Sequence, residues 1–411
     1  MYIENVKIRN FKCFKEVEFS LDRYLNVFIG VNGIGKSSLL EAFKVLIGSL
    51  FLGFDKEKGK IASPDILDDD VRLSHLEQQY PTVVSARGFF DEVETGICWE
   101  RSLERKNGKT LSNNAADLKS VAEDLQLSVR TNEDSVLPLV AYFSTDRYKK
   151  EKKNIGLETE GTRFRGYYNA LDSETNIKFF LNLYKTETLS ALQYGNNSAV
   201  LEAVNAAVKK CVECKGILFD VKKDELLLMQ QQDGESVPFH LLSDGVRSML
   251  ALVMEIAFRC YLLNPQFLEK AAEKTSGVVL IDEIDLHLHP AWQKKVLKDL
   301  HTAFPYIQFI ATTHAPLVIG SIKEGRIFSI SNCQVYDFDL QYGRDANYIL
   351  NEMGTDEMES EVKDLLERYS IMIEKGNGKT ENALLMRKRL EDLLGCGHPE
   401  LQRADMMLSF F

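Results

Sequence analysis

The stretch LNVFIGVNGIGKSS, Leu25 to Ser38, constrains the fold more than any other part of the chain. A short apolar run, Leu25 to Ile29, ends at Gly30, and a helical apolar run with Leu39, Leu40, Phe43, Leu46 and Ile47 follows Lys36 and Ser37. A buried strand that turns through glycines directly into a helix is the phosphate-binding unit of an open α/β sheet. The pattern G-x-x-x-x-G-K-[ST] is met by Gly30, Gly35, Lys36 and Ser37. Asn32, Gly33, Gly35, Lys36, Ser37 and Ser38 are therefore the expected nucleotide contacts. The glycines let backbone N–H groups curl around a β-phosphate, and the helix offers its positive end. Lys36 can reach β/γ oxygens, and Ser37 can ligate magnesium.

Two later segments give that loop a chemistry. Val278 to Glu283, VVLIDE, is an apolar strand that delivers two acids to its carboxyl edge. Asp282 is placed to hold Mg2+ and Glu283 to polarise an attacking water. LLSDGVRS, Leu241 to Ser248, opens a long apolar helix about 35 residues before the acids. Ser243 and Gly245 at its head bring a hydroxyl, free N–H groups and the helix dipole to one point, which suits a γ-phosphate. A strand ending TTH, Thr312 to His314, follows the acids. Strand, helix, strand at this spacing means parallel sheet.

The order P-loop, LSDG, VVLIDEID, TTH resembles the ABC ATPase head family in its RecF, OLD and SMC-like branch. The resemblance covers most of residues 1 to 345. It implies an α/β fold of the ABC type, with a mixed sheet core, antiparallel N-terminal strands, a helical lobe and a short helical C-terminal tail. It also implies that Ser243, Asp244 and Gly245 contact the γ-phosphate held by a second copy, so that two copies meet head to tail. Asp285 then belongs to the D-loop, and Glu283 and His314, the switch histidine, serve catalysis. IRNFKCF, Ile8 to Phe14, is similar to the branch's opening motif, whose basic residue, here Lys12 or Arg9, reaches the phosphates. The signature departs from its family pattern at Asp244, and no Q-loop glutamine closes VLPLVAYFST; Ser144, Thr145, Asp146 or Arg147 holds that place.

The rest of the chain gives organisation. Residues 1–145 read as the N-terminal part of the ATPase lobe, with strands Ile3 to Ile8, Val17 to Leu21, a pair within Pro81 to Arg105 and a buried strand in Val136 to Thr145. Residues 146–242 read as a helical lobe, 243–345 as the signature, acidic strand and switch histidine, and 346–411 as an amphipathic helical tail. AWQKKVLKDLHTAF reads as one helix. About 200 residues between P-loop and signature leave no room for a long coiled-coil arm, and the tail is too short for the Toprim nuclease domain of OLD proteins. Cys211 and Cys214 form one CxxC without a second pair, which favours packed thiols over zinc. His287 and His289 fall in the D-loop segment, and RYKKEKK, Arg147 to Lys153, reads as a solvated turn.

Net charge −11 argues against a surface that is wholly a nucleic-acid grip. Seven cysteines without a charged-then-apolar leader fit a reduced cytoplasmic protein. No apolar run reaches the ~20 residues of a membrane span, so no membrane partner is expected. The compact, armless pattern with YFSTDR and LSDGVRS segments resembles the PtuA ATPases of Septu and retron-linked anti-phage systems. That resemblance implies ATP and Mg2+ as cofactors, a homodimer or larger homo-oligomer, and an HNH nuclease partner of the PtuB kind, with nucleic acid reached through the complex. The competing expectation is a RecF-like DNA-repair ATPase that clamps duplex DNA.

Overall fold

Val6 and Ile8 are buried while Lys7 and Arg9 face solvent, the period-two pattern of strand β1 (Tyr2–Phe11), and an irregularity between Ile3 and Asn5 shifts the phase so that Ile3 is buried too. β1 pairs antiparallel with β2 (Phe14–Ser20) on one side and with β6 (Thr82–Phe90) on the other. β7 (Val93–Leu103) completes a four-stranded sheet of order β2-β1-β6-β7. A two-residue hairpin, β4 (Leu73–Ser74) and β5 (Glu77–Gln78), lies in the connection before β6. In the computed structural model these elements belong to Met1–Arg344, one of two compact units; the other is Asp345–Phe411. Described are residues 1–55, 61–90, 93–145, 162–173, 177–231, 235–354, 360–395 and 398–410. The RYKKEKK segment lies outside them.

The second sheet carries the phosphate loop. β3 (Leu25–Ile29) sits between β13 (Ile307–Thr313) and β14 (Arg326–Ser331), and the sheet continues to β12 (Gly277–Ile281) and β8 (Leu139–Phe143). These five strands are parallel, and β15 (Gln334–Phe338) closes one side antiparallel. Ile29 stands opposite Thr313, and Ala311, Ile281 and Phe143 share one rung. The carboxyl ends of β3, β13, β12 and β8 therefore fall along a single edge, where open α/β sheets bind ligands.

Helix α1 (Lys36–Gly48) buries Leu39, Leu40, Phe43, Leu46 and Ile47. Phe28 of β3 stacks on Phe328 at 4.8 Å and lies 5.9 Å from Phe43, with Phe19 edge-on at 5.6 Å. Each such ring contributes about 1.5–3 kcal/mol by burial, so strand and helix on either side of the loop are fixed to one core.

Helix α2 (Ala116–Thr131), between β7 and β8, buries Leu118, Ala122 and Leu125. Helices α3 (Ile177–Tyr194) and α4 (Ala199–Cys211) pack on α5 (Asp244–Leu263). A small antiparallel sheet of β9 (Cys214–Asp220), β10 (Glu225–Gln230) and β11 (Ser236–Pro238) leads into α5. The short α6 (Ala271–Lys274) precedes β12. Residues 290–303 form two helices, α7 (Pro290–Gln293) and α8 (Val296–Ala303), where one was expected. Lys295, at φ −130°, breaks the helical backbone between them. One turn, α9 (Pro316–Ile319), follows β13.

The observed class is α/β, a mixed sheet with antiparallel N-terminal strands, as the sequence predicts. The C-terminal unit comprises α10 (Ala346–Glu352), α11 (Ser360–Glu374), α12 (Glu381–Leu394) and α13 (Pro399–Phe410). It has a core of its own around Tyr369, Ile373, Leu390 and Leu401. After α11, Gly376 at φ +72° and Asn377 donate their N–H groups to Ile373 and Met372, which ends the helix.

Candidate functional site

Between β3 and α1 the backbone passes through Gly35 at φ +112°, a conformation that favours glycine. A Cβ there would lie 2.6 Å from the Cys13 sulfur, so glycine is also required by the close approach of the β1–β2 turn. Gly35 caps α1 with no side chain, and no acid occupies the helix's own first turn, so nothing within the helix offsets its positive end. Lys36 is buried, and its Nζ donates to the carbonyls of Gly30 at 2.7 Å and Val31 at 3.1 Å. Burial holds its ammonium below the ordinary lysine value; Glu283, then Asp282 and Asp285, pull it back up. The loop lysine and the acids follow β3 and β12, strands that only β13 separates, so they share one sheet edge. Asn32, Gly33 and Ser37 are exposed beside it, and Ser38 is half-buried.

The acids are interlocked with the end of β13. Asp282 is 2% exposed and accepts the Thr312 hydroxyl at 2.6 Å. The Glu283 N–H donates to the same Thr312 oxygen at 2.8 Å. Thr313 donates to Asp285 Oδ1, and Asp285 Oδ2 lies 3.5 Å from His314 Nδ1. His314 itself is half exposed. Thr312 and Thr313 were not among the residues expected from sequence. The TT of TTH was visible, but which acid each hydroxyl would meet depends on the β12–β13 register.

Ser243 caps α5 in an extended backbone and spends no side-chain bond on the helix. Ser243 and Asp244 are exposed, and Asp244 pairs with Arg247. Gly245 abuts the D-loop segment: a Cβ on it would sit 2.5 Å from the His287 carbonyl oxygen. Among the described residues, no hydrogen bond or ion pair joins Ser243, Asp244 or Gly245 to the loop from Gly30 to Ser38. Within one chain the head of α5 thus packs on the segment at His287, while the loop after β3 and the acids after β12 share the sheet edge on either side of β13.

Lys12, at φ +49°, has its Nζ on the Asp70 carboxylate at 2.8 Å and the Asp69 carbonyl at 3.0 Å. Its neighbour Cys13 contacts the Ile34 carbonyl of the P-loop. At the end of β8, Ser144 donates to the Ser173 carbonyl at 2.6 Å; Asp146 and Arg147 lie outside the described residues. Cys211 and Cys214 are buried, and burial pushes both thiols up. Among the described residues no helix is long and apolar enough to cross a membrane.

Residues 25–320 match the family described as "AAA domain, putative AbiEii toxin, Type IV TA system". The chain is 25% identical to the Retron Vc95 probable ATPase of Vibrio cholerae serotype O1 biovar El Tor, over 91% of this chain and 84% of that one. It is 24% identical to the Septu protein PtuA of Bacillus thuringiensis, over 84% of this chain and 81% of that one. Among solved structures, an SMC head bound to the C-winged helix domain of ScpA matches 83% of this chain and 99% of that one, at 16% identity and a TM-score of 0.50, which shows a common fold. The chain belongs to this AAA domain family, and its fold is the one seen in the SMC head.

Proposed function

We propose that the protein is an ATP-binding, ATP-hydrolysing regulatory subunit of an anti-phage defence complex, acting on a partner HNH nuclease through a nucleotide-dependent head-to-tail dimer. The observation that carries it is the sheet order: β3, which feeds the glycine loop and Lys36, and β12, which delivers Asp282, Glu283 and Asp285, end along one edge with β13 alone between them. The residues fit a nucleotide: a glycine-bent loop, a helix N-terminus with no acid in its first turn and a cation whose charged state an added phosphate would favour. They also fit Mg2+, since Ser37, the Asp282 carboxylate and phosphate oxygens make an all-oxygen donor set. When bound, Mg2+ would neutralise charge developing between the β- and γ-phosphates.

The protein's own groups do the rest. Lys36 exchanges its two carbonyl acceptors for phosphate oxygens. Glu283 orients and polarises the attacking water, and Asp285 steadies His314 at the γ-phosphate edge. Ser243, Asp244 and Gly245 of one copy complete the site of the other. A γ-phosphate that contacts both copies binds the closed dimer better than the open one, and that difference is the source of switching. The likeness to proteins named as retron and Septu ATPases supports the defence setting. Lys12 approaches the phosphates only by giving up its Asp70 ion pair.

The test is co-expression with a PtuB-like HNH nuclease and assay of DNA cleavage with and without ATP. Co-purification, with cleavage that responds to ATP in the parent and not in Lys36→Ala, is expected. Cleavage indifferent to nucleotide in both would overturn the regulatory role. Tight, salt-sensitive binding of duplex DNA by the chain alone would instead favour a RecF-like clamp.

A further inference from the structure

Thr312, the last residue but one of β13, is fully buried, between the strand that feeds the phosphate loop and the strand that delivers the acids. A hydroxyl has one proton to give. Here it goes to Asp282 Oδ1 at 2.6 Å, which leaves the oxygen lone pairs to accept the Glu283 N–H at 2.8 Å. The Thr312 carbonyl accepts the next N–H, that of Ile284, at 3.0 Å. One residue therefore fixes three consecutive positions of the acidic turn.

The middle position is the one that needs fixing. Glu283 has φ +47°, a left-handed conformation that costs a side-chain-bearing residue free energy and persists only where its surroundings hold it. The bond from its N–H to Thr312 is such a restraint. The same oxygen, through its proton, sets the Asp282 carboxylate. The water-polarising and magnesium-holding acids are thus tied to one atom.

We propose that Thr312 is a positioning residue for ATP hydrolysis: its hydroxyl sets the spacing between the Asp282 carboxylate and the Glu283 backbone. Mg2+-dependent nucleotide binding and turnover therefore require that hydroxyl, whereas Mg2+-free nucleotide binding does not. This rests on the ATPase function proposed above.

Thr312→Val keeps the shape and removes donor and acceptor together; Thr312→Ser keeps both. A fluorescent ATP analogue is titrated into each full-length protein with EDTA or with MgCl2, and turnover is measured in parallel. Parent and Ser variant should both gain affinity on adding Mg2+. The Val variant should match the parent in EDTA within about twofold, lose most of the Mg2+ gain, and turn over about 10- to 100-fold more slowly, the usual effect of losing an outer-shell partner.

A Val variant with parental Mg2+ dependence and turnover overturns the proposal while leaving the ATPase function intact. A parent protein that binds no nucleotide overturns both. If the Val variant does not fold, Thr312→Ala replaces it in the same comparison. The proposal then requires Ser to exceed Ala in Mg2+ gain, and equal values refute it. A residue that merely supported the sheet would lower the melting temperature and leave the Mg2+ titration unchanged.

Discussion

Replacing Gly245 by alanine adds one methyl group where the signature helix meets the D-loop segment. The new Cβ would stand 2.5 Å from the His287 carbonyl oxygen, whereas ordinary van der Waals contact begins near 3.4 Å. The two segments must separate by roughly 0.5–0.9 Å to relieve the overlap, a typical overpacking cost being about 1–3 kcal/mol. His287 resists the shift, since its own φ of +63° is in the sparse left-handed region. At about 2–4 °C per kcal/mol for a large domain, the melting temperature should fall by several degrees. ATP turnover should fall further than stability accounts for, because Ser243 and Asp285 are displaced together. Gly195→Ala is the control. Gly195 has open space around it but φ +65°, so alanine costs about 1–2 kcal/mol through the backbone alone, far in sequence from the site. Differential scanning calorimetry and a phosphate-release assay on both variants decide the matter. Gly245→Ala with the parent's melting temperature and turnover would refute the packing between signature and D-loop.

Lys36→Ala removes a cation that would give a phosphate at least two charge-assisted bonds of about 1.5–3 kcal/mol each, so ATP affinity should fall at least 100-fold; titration calorimetry showing parental affinity would remove the loop from nucleotide binding. Glu283→Gln keeps the side-chain shape and should retain ATP while turnover drops by about 10²–10⁴-fold, the range for a lost general base; a parental rate would show that another group activates the water. In α5, Arg259 is 1% exposed and bonds Glu255 at 2.7 and 3.0 Å and the carbonyls of Gly166 and Tyr168. Arg259→Leu leaves Glu255 buried without its partner and should cost about 3–5 kcal/mol in urea unfolding, with part recovered on adding Glu255→Leu.

Local patterns carried much of this in the sequence, and long-range pairings did not. The phosphate loop, the acidic strand and the switch histidine are each contiguous, and their order along the chain sufficed to predict an ABC-type head. Helix α2 went unread because its stripe of Leu118, Ala122 and Leu125 is thin and polar residues surround it. The ion pair of Lys12 with Asp70 joins residues far apart in the chain, so the sequence shows Lys12 as a phosphate ligand and gives no sign of its acidic partner. The Thr312 bonds span about 30 positions and exist only because β12 and β13 are parallel in one particular register. Hydroxyls that organise a site are invisible until the register is known.

A mixing experiment tests the composite site most directly. Lys36→Ala spoils the P-loop, and Ser243→Arg spoils the signature while leaving the P-loop able to bind nucleotide. Each variant alone should be inactive. In a head-to-tail heterodimer, the good P-loop of one chain meets the good signature of the other, giving one intact site of two. Random mixing into two-fold assemblies makes half of them heterodimers, so the mixture should recover roughly one quarter of parental turnover. An inactive mixture in which heterodimers are detected by mass would contradict a site shared between two copies.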